Sequence, residues 1–258
     1  MKTIDLLDGT TEWQNVLEQK AVNDNYYYGE LNTKALSSSA IKLLVDSPKK
    51  YNFVNKYGNP ETQGLRDGRL LHTFILEPEK YDKFHFVDVA SKNTKAYKLA
   101  VEEHGTAYTT KEKNDCERLA DALLRNEMAL QYLNGGAYEV PKVDTINGIP
   151  FRGKADILTP KKGICDIKTT TDIKAFRYSA NKYGYDIQCY IYCQLFNCTH
   201  EEFTFLVLDK SSLDIGIFKC SEEFYLRGKE KTELGIQRYL EFISTDYDLD
   251  NYYIQETL

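Results

Sequence analysis

The sequence predicts an α/β (α+β) fold, a central mixed sheet with an antiparallel meander, flanked by helices. Apolar residues recur at helical spacing up to about residue 135, alternate from Tyr138 to Thr169, and then switch between the two periods. Asn147-Gly148, the strongest short hairpin signal, sits between two of the alternating runs. Pro160-Lys161-Lys162-Gly163 separates the second run from a third, completing a three-stranded meander.

The elements follow in order. Residues 1 to about 25 carry no readable motif, although Trp13 and the amphipathic spacing around it suggest a packed helix, a candidate subunit contact. Ser37-Ser38-Ser39 ahead of Ala40-Ile41-Lys42-Leu43-Leu44-Val45 reads as a cap and a short helix; Ser47-Pro48 stops it and starts another. A helix runs from about Leu65 to Glu77, where Pro78 stops it. Further helices are expected over 94–103 and 111–133, the latter ending at Gly135-Gly136. Strands are expected over 138–145, 149–158 and 164–169. Helices at about 172–181 and 183–197, strands near 202–208 and 213–219, and a terminal helix over 221–243 complete the chain.

With 258 residues, 42% hydrophobic and 28% charged, the chain can bury a substantial core, which excludes disorder. No repeat, low-complexity tract or Pro/Gly-rich linker divides it. It reads as one domain over 1–258, mainly helical to 135 and sheet-based from 136. The formal charge of −6 excludes a uniformly basic nucleic-acid wrapper but leaves room for a local basic groove. No apolar run approaches the ~18 residues of a spanning helix, and acids follow Met1 closely; the expectation is a soluble, non-exported, cytoplasmic protein. Six cysteines are too sparse for a disulfide-built fold, and none are paired at zinc-knuckle spacing. Cys189, Cys193 and Cys198 lie in an apolar helical run, where small core residues suffice to explain them. Three cysteines this close could also help hold an iron–sulfur cluster, although their spacings fit no ligation pattern.

A two-residue turn at Asn147-Gly148 places Glu139 opposite Asp156. A three-residue loop centred on Lys161 pairs Thr159 with Gly163 and places Asp166 opposite Asp156 on its other side. Three acids then lie across three neighbouring strands, roughly 5 Å apart at Cβ, where like charges repel and a cation is wanted. Alternation puts Lys168 on the same face as Asp166. Hard oxygen ligands suit Mg²⁺ or Mn²⁺, one or two ions, and a lysine beside them suits orienting or deprotonating a water. A solvated sheet face, with Lys154 and Lys168 pairing the acids, would show the same pattern.

Phe151-Arg152-Gly153-Lys154-Ala155-Asp156, Asp166-Ile167-Lys168-Thr169-Thr170, and Gln188 with Tyr192 four residues on resemble the PD-(D/E)XK nuclease superfamily. The closest resemblance is to the RecE-like exonuclease domain, exodeoxyribonuclease VIII-like, of phage and prophage recombination systems. Ser37-Ser38-Ser39 with Ser47-Pro48 and Tyr51, and Gly68-Arg69-Leu70-Leu71-His72 before Leu76-Glu77-Pro78, extend it over most of the chain. The resemblance implies Asp156 and Asp166 as metal-binding acids, Lys168 as the catalytic lysine, the Ile167 carbonyl and His72 as further metal ligands, and Glu139 as a supporting acid. Asp166 stands where many relatives have glutamate. Gln188 and Tyr192 match the QxxxY motif and would face DNA. On the residues alone, His72 in its apolar helix suits a packed core histidine better, and Tyr192 suits a buried tyrosine equally well.

Lys49, Lys50, Arg66, Arg69, Lys174, Arg177 and Lys182 are candidates for phosphate contacts, and Tyr26-Tyr27-Tyr28 or Tyr51 for base stacking. The activity implied by the resemblance is metal-dependent 5′ to 3′ digestion of linear double-stranded DNA. It would leave a 3′ strand for a single-strand annealing protein, act as a ring-like homo-oligomer away from membranes, and work in a bacterial host cell. Two alternatives share the fold: a structure-selective or Cas4-like nuclease, and a catalytically inactive DNA-binding module.

Overall fold

A computed structural model describes residues 2–160 and 163–255. Lys161, the expected centre of the meander's second loop, lies outside them. The N-terminal segment is more than a helix. A hairpin, β1 (Thr3–Asp5) and β2 (Thr11–Trp13), precedes α1 (Gln14–Ala21), a π-helical turn at Tyr26–Glu30 and the short α2 (Leu31–Lys34). Trp13 is half exposed at the helix entrance, and Leu17 and Ala21 bury the face that Trp13 was expected to supply.

The next helices begin where their caps predict. Ser37 accepts from Ala40 N at the start of α3 (Ser38–Asp46), and Pro48 opens α4 (Pro48–Tyr57). Thr62 caps α5 (Gln63–Leu76), which Pro78 separates from α6 (Pro78–Tyr81). Strand β3 (His85–Val87), α7 (Lys95–His104) and β4 (Ala107–Thr109) then form a small parallel pair with its crossover, which the sequence pattern did not indicate. The expected single helix over 111–133 is two, α8 (Thr110–Leu124) and α9 (Glu127–Leu133). Asn126 leaves the helical conformation and accepts from Ala129 N at 2.9 Å, capping the second.

The main sheet has β5 (Ala137–Ile146), β6 (Ile149–Leu158), β7 (Ile164–Thr170), β8 (Phe203–Asp209) and β9 (Ile215–Lys219) in chain order. All neighbours are antiparallel except β7 and β8. These are joined by α10 (Phe176–Lys182) and α11 (Tyr185–Phe196), the crossover a parallel pair requires. Helix α12 (Glu222–Arg238) and a π-helical turn at Tyr239–Ile243 end the ordered core.

Both expected registers occur. Ile146 pairs with Ile149, and Thr159 N donates to Gly163 O at 2.8 Å beside the pairs Leu158↔Ile164 and Ile157↔Cys165. One apolar layer packs α3, α11 and α12 on one side of the sheet around Phe151, Ile191 and Phe205; the other packs α5, α8 and α9 around Leu71, Leu123 and Ile167. Among the described residues no helix is long and apolar enough to cross a membrane.

Candidate active site

The site lies where the sheet's ladder opens. Glu139 drops out of the β5–β6 pairing between Val140↔Ala155 and Tyr138↔Ile157, with φ at +49°, a left-handed conformation that non-glycine residues seldom adopt. Beyond Ile157↔Cys165, β6 and β7 separate, and the Ile167 N–H that would extend the ladder donates instead to Asp156 Oδ2 at 2.8 Å. The acids therefore sit at a split in the sheet rather than on a solvated face. Asp166 is 1% exposed.

Two linked groups meet there. Helix α5 brings His72, whose Nδ1 faces the Gly68 carbonyl at 2.7 Å; that contact turns Nε2 toward Asp156 Oδ2, 2.9 Å away. Strand β7 brings Asp166 and Lys168, which form an ion pair, and Gln188 of α11 donates to the other oxygen of Asp166. Tyr192, one turn further on, donates its hydroxyl to the Lys154 carbonyl at 3.0 Å. Gly153 permits this approach: a Cβ there would stand 2.9 Å from Leu195 and 3.0 Å from Tyr192. Gln188 and Tyr192 are both buried and bonded inside the protein, and both line the cleft over the acids.

Mutual repulsion and burial set the charges. Burial and the neighbouring Asp156 charge push Glu139 up to about 7, and the same two causes raise Asp166. Burial would raise Asp156 as well, but His72 overrides it and holds it down. Burial would likewise lower His72, yet Asp156 carries it up to about 9. Burial opposes the Lys168 charge, and Asp166 and Asp156 outweigh it, so the ammonium stays protonated.

A cleft of about 580 Å³ opens over this floor, bordered by Lys42, Gly68, Arg69, Lys168 and Tyr185. Nothing lies within 4 Å of where a Gly68 Cβ would project, leaving space beside the imidazole. Lys42 and Tyr185 were not singled out from the sequence. The Lys42 and Lys168 ammonium groups lie 5.2 and 5.1 Å from the Tyr185 ring centre, and burial together with the Lys168 charge pushes Lys42 down to about 8. A lone lysine amid Ile41, Leu43 and Leu44 is the one trace it leaves in the sequence.

The sequence profile of the PDDEXK-like domain of unknown function (DUF3799) matches residues 37–248, most of the chain. The chain belongs to this family. A search of curated proteins finds no significant match. Among solved structures, the PDDEXK-like domain is similar to a putative exonuclease from Eubacterium rectale, at TM-score 0.65 and 18% identity over 92% of this chain and 95% of that one, a likeness of fold. A phage-related exonuclease from Haemophilus somnus 129PT aligns over 80% of this chain and 93% of its own, at 16% identity and TM-score 0.35.

Several expected nucleic-acid contacts of the PDDEXK-like domain are internal. Arg66 is buried and bonded to Glu112 at 3.0 Å, Glu61 at 2.8 Å and the Ala107 carbonyl at 2.7 Å, which leaves it no phosphate to meet. Lys154 is buried and pairs with Asp24 instead of the acid row, whereas Lys50 stays exposed in a surface pair with Asp46. Arg69 stays half exposed at the cleft, paired with Glu61 at 2.8 Å. Tyr27 is buried between Arg152 and Lys154, and Tyr51 packs edge-on against Tyr239 in the core; Tyr28 alone of these candidates is exposed, 5.5 Å from the Lys154 ammonium.

The donor set suits a hard divalent cation. Asp166 Oδ2 is buried with no hydrogen-bond donor; Lys168 meets it as a charge outside hydrogen-bonding geometry. Among the described residues no three acids, histidines or cysteines are gathered as a finished cage, and His72 and Asp156 are bonded to each other.

Proposed function

We propose that this protein is a metal-dependent exodeoxyribonuclease that hydrolyses linear double-stranded DNA from its 5′ ends. One observation carries the reading: Asp156, Asp166, Lys168 and His72, from three separate elements, converge beneath an open cleft that His72 and Lys168 line. His72, Asp156 and Asp166, with the Ile167 carbonyl, would hold Mg²⁺ or Mn²⁺, which supplies charge neutralisation at the scissile phosphate and a more acidic water.

The chain's own groups do the remainder. Lys168, kept protonated by the acids, positions a water or phosphate oxygen and stabilises charge on it by donating hydrogen bonds. Gln188 holds Asp166 in place, and Glu139, near neutrality at about 7, can take or return a proton at the site's edge. Lys42 and Arg69 supply positive charge along the cleft wall, and Tyr28 offers an exposed ring for a splayed terminal base. The RecE-like reading adds a homo-oligomer that leaves a 3′ single strand for an annealing protein.

The test is time-resolved digestion of linear duplex labelled separately at each 5′ and 3′ terminus, with Mg²⁺ or EDTA. Metal-dependent loss of one strand from its 5′ end, reduced about 100-fold or more in Lys168→Ala, is the expected result. Cuts in closed circles would instead indicate an endonuclease, and no cleavage by folded wild type on any end would indicate a DNA-binding module.

A further inference from the structure

The wall of the cleft carries one sign of charge. Lys42, Arg69, Lys168 and Lys210 line it and, among the described residues, no carboxylate does, although the whole chain carries a formal charge of −6. Arg69 and Lys210 are tied to Glu61 and Asp67, at 2.8 and 3.2 Å. Lys42 instead meets an aromatic ring, and Lys168 adds a second ammonium group beside the same ring. Such a wall attracts phosphates but does not by itself distinguish a duplex from a single strand. The rings set among these cations make that distinction.

Tyr183 and Tyr185 both line the cleft. Gly184 between them, with φ at +62°, turns the chain from α10 into α11 and leaves the ring centres 6.0 Å apart with their planes at 37°. The two rings differ in support. Tyr185 is half-buried, backed by Phe205 and Phe176 at 5.5 and 6.0 Å, with the Lys42 and Lys168 ammonium groups 5.2 and 5.1 Å from its centre. Tyr183 is exposed, and the Lys182 ammonium lies 5.7 Å from its ring. An inner ring is thereby fixed beside the reacting groups, and an outer one is left open. Tyr28, exposed beside the Lys154 ammonium, stands against β6, whereas Tyr185 stands against β7 at Lys168. Aromatic rings therefore flank the split that holds Asp156 and Asp166.

We propose that Tyr183 and Tyr185 are positioning residues, a stacking platform for an unpaired nucleotide of the cleaved strand, which therefore crosses the acids as a single strand. The inference rests on the nuclease reading and adds to it the form of DNA that the site takes. Inside a duplex both faces of a base are covered by its neighbours, so a base reaches these rings only after leaving the stack. Once there it lies among positive charges: Lys182 beside the outer ring, Lys42 and Lys168 beside the inner one, placed to meet the phosphates that adjoin the stacked nucleotide. A ring face reads no pattern of donors and acceptors, so the platform accepts any base. Ends that fray or carry an overhang are favoured, and with Tyr28 beyond the acids the strand is held on both sides of the bond to be broken.

The experiment measures binding of the full-length protein, by fluorescence anisotropy with Ca²⁺ in place of Mg²⁺, to a labelled duplex bearing a short 5′ overhang. Each nucleotide of the overhang is replaced in turn by an abasic one. At one position the loss of the base should weaken binding to wild type about tenfold, and binding to Tyr183→Ala less than about twofold, because the ring that the base would stack on is already gone. Tyr183→Phe, which keeps the ring, should behave as wild type. Tyr183 is exposed, and a variant that was merely misfolded would bind the intact and the abasic overhangs equally poorly, whereas the platform requires Tyr183→Ala to match wild type on the abasic one. An abasic penalty of the same size in both proteins at every position, alongside metal-dependent cleavage by wild type, would overturn the platform and leave the nuclease reading standing. No affinity for any overhang and no cleavage in Mg²⁺ would overturn both.

Discussion

Asp156 serves four neighbours at once: it accepts the Ile167 N–H that the sheet leaves unpaired, orients His72, and presses its charge on Glu139 and Asp166. Its amide analogue separates these duties. Asp156→Asn retains an oxygen for Ile167 N, so circular dichroism and thermal unfolding should stay near wild type, while metal-dependent cleavage falls by about two orders of magnitude or more. The opposition of Glu139, Asp156 and Asp166 could be read from one turn, Asn147-Gly148, and from the three-residue loop after Thr159. The departure of those same residues from the ladder could not, because it depends on a backbone N–H finding a carboxylate across the split. Arg66 illustrates the opposite failure. Its charge suggested a phosphate contact, but its partner Glu112 lies 46 positions away and only the fold brings them together.

Helix α11 couples site and core. It presses Tyr192 against β6 at Gly153, and adding one methyl there by Gly153→Ala should cost about 1–3 kcal/mol, measured by urea unfolding, as the aromatic ring is forced back. Helices α5 and α8 are joined by Arg66 and Glu112. Burial would raise the Glu112 carboxyl, but Arg66, Gln63, Lys92 and the Thr109 N–H bring it down to about 2 from its ordinary 4.5. A depressed folded-state pKa stabilises the protein above the unfolded value, and the benefit is lost as pH falls from 4.5 toward 2. It amounts to about 3 kcal/mol. The gap in urea midpoint between wild type and Glu112→Gln should therefore narrow from roughly pH 5 to roughly pH 3, whereas a constant gap would deny the pair this role. Element boundaries were legible where a cap or proline marked them, as at Ser37, Pro48 and Pro78. The break at Asn126 carried a cap residue but no proline or glycine, and β3 and β4 are each too short to show a period.

At the scale of the whole molecule, residues ahead of the family-matched region are built into the sheet. Leu36 bridges to Phe151, accepting from Arg152 N at 2.8 Å, and Asp24 joins Lys154 of β6 to Lys80, next to the acids. The architecture was legible because two helical layers on a mixed sheet follow from period and crossover length; this N-terminal layer was not, since its apolar cluster closes on Val143 of β5, far along the chain. The whole arrangement exists to open one sheet at Asp156 and to close helices α5 and α11 over the gap. Diffraction from crystals soaked in Mn²⁺, collected at the manganese edge, tests that claim most directly. The account predicts an anomalous peak between Asp156 and Asp166 within reach of His72 Nε2, with the His72–Asp156 contact released. Full-strength density for that contact with no peak at the acids, under conditions where the crystal takes up manganese elsewhere, would contradict it.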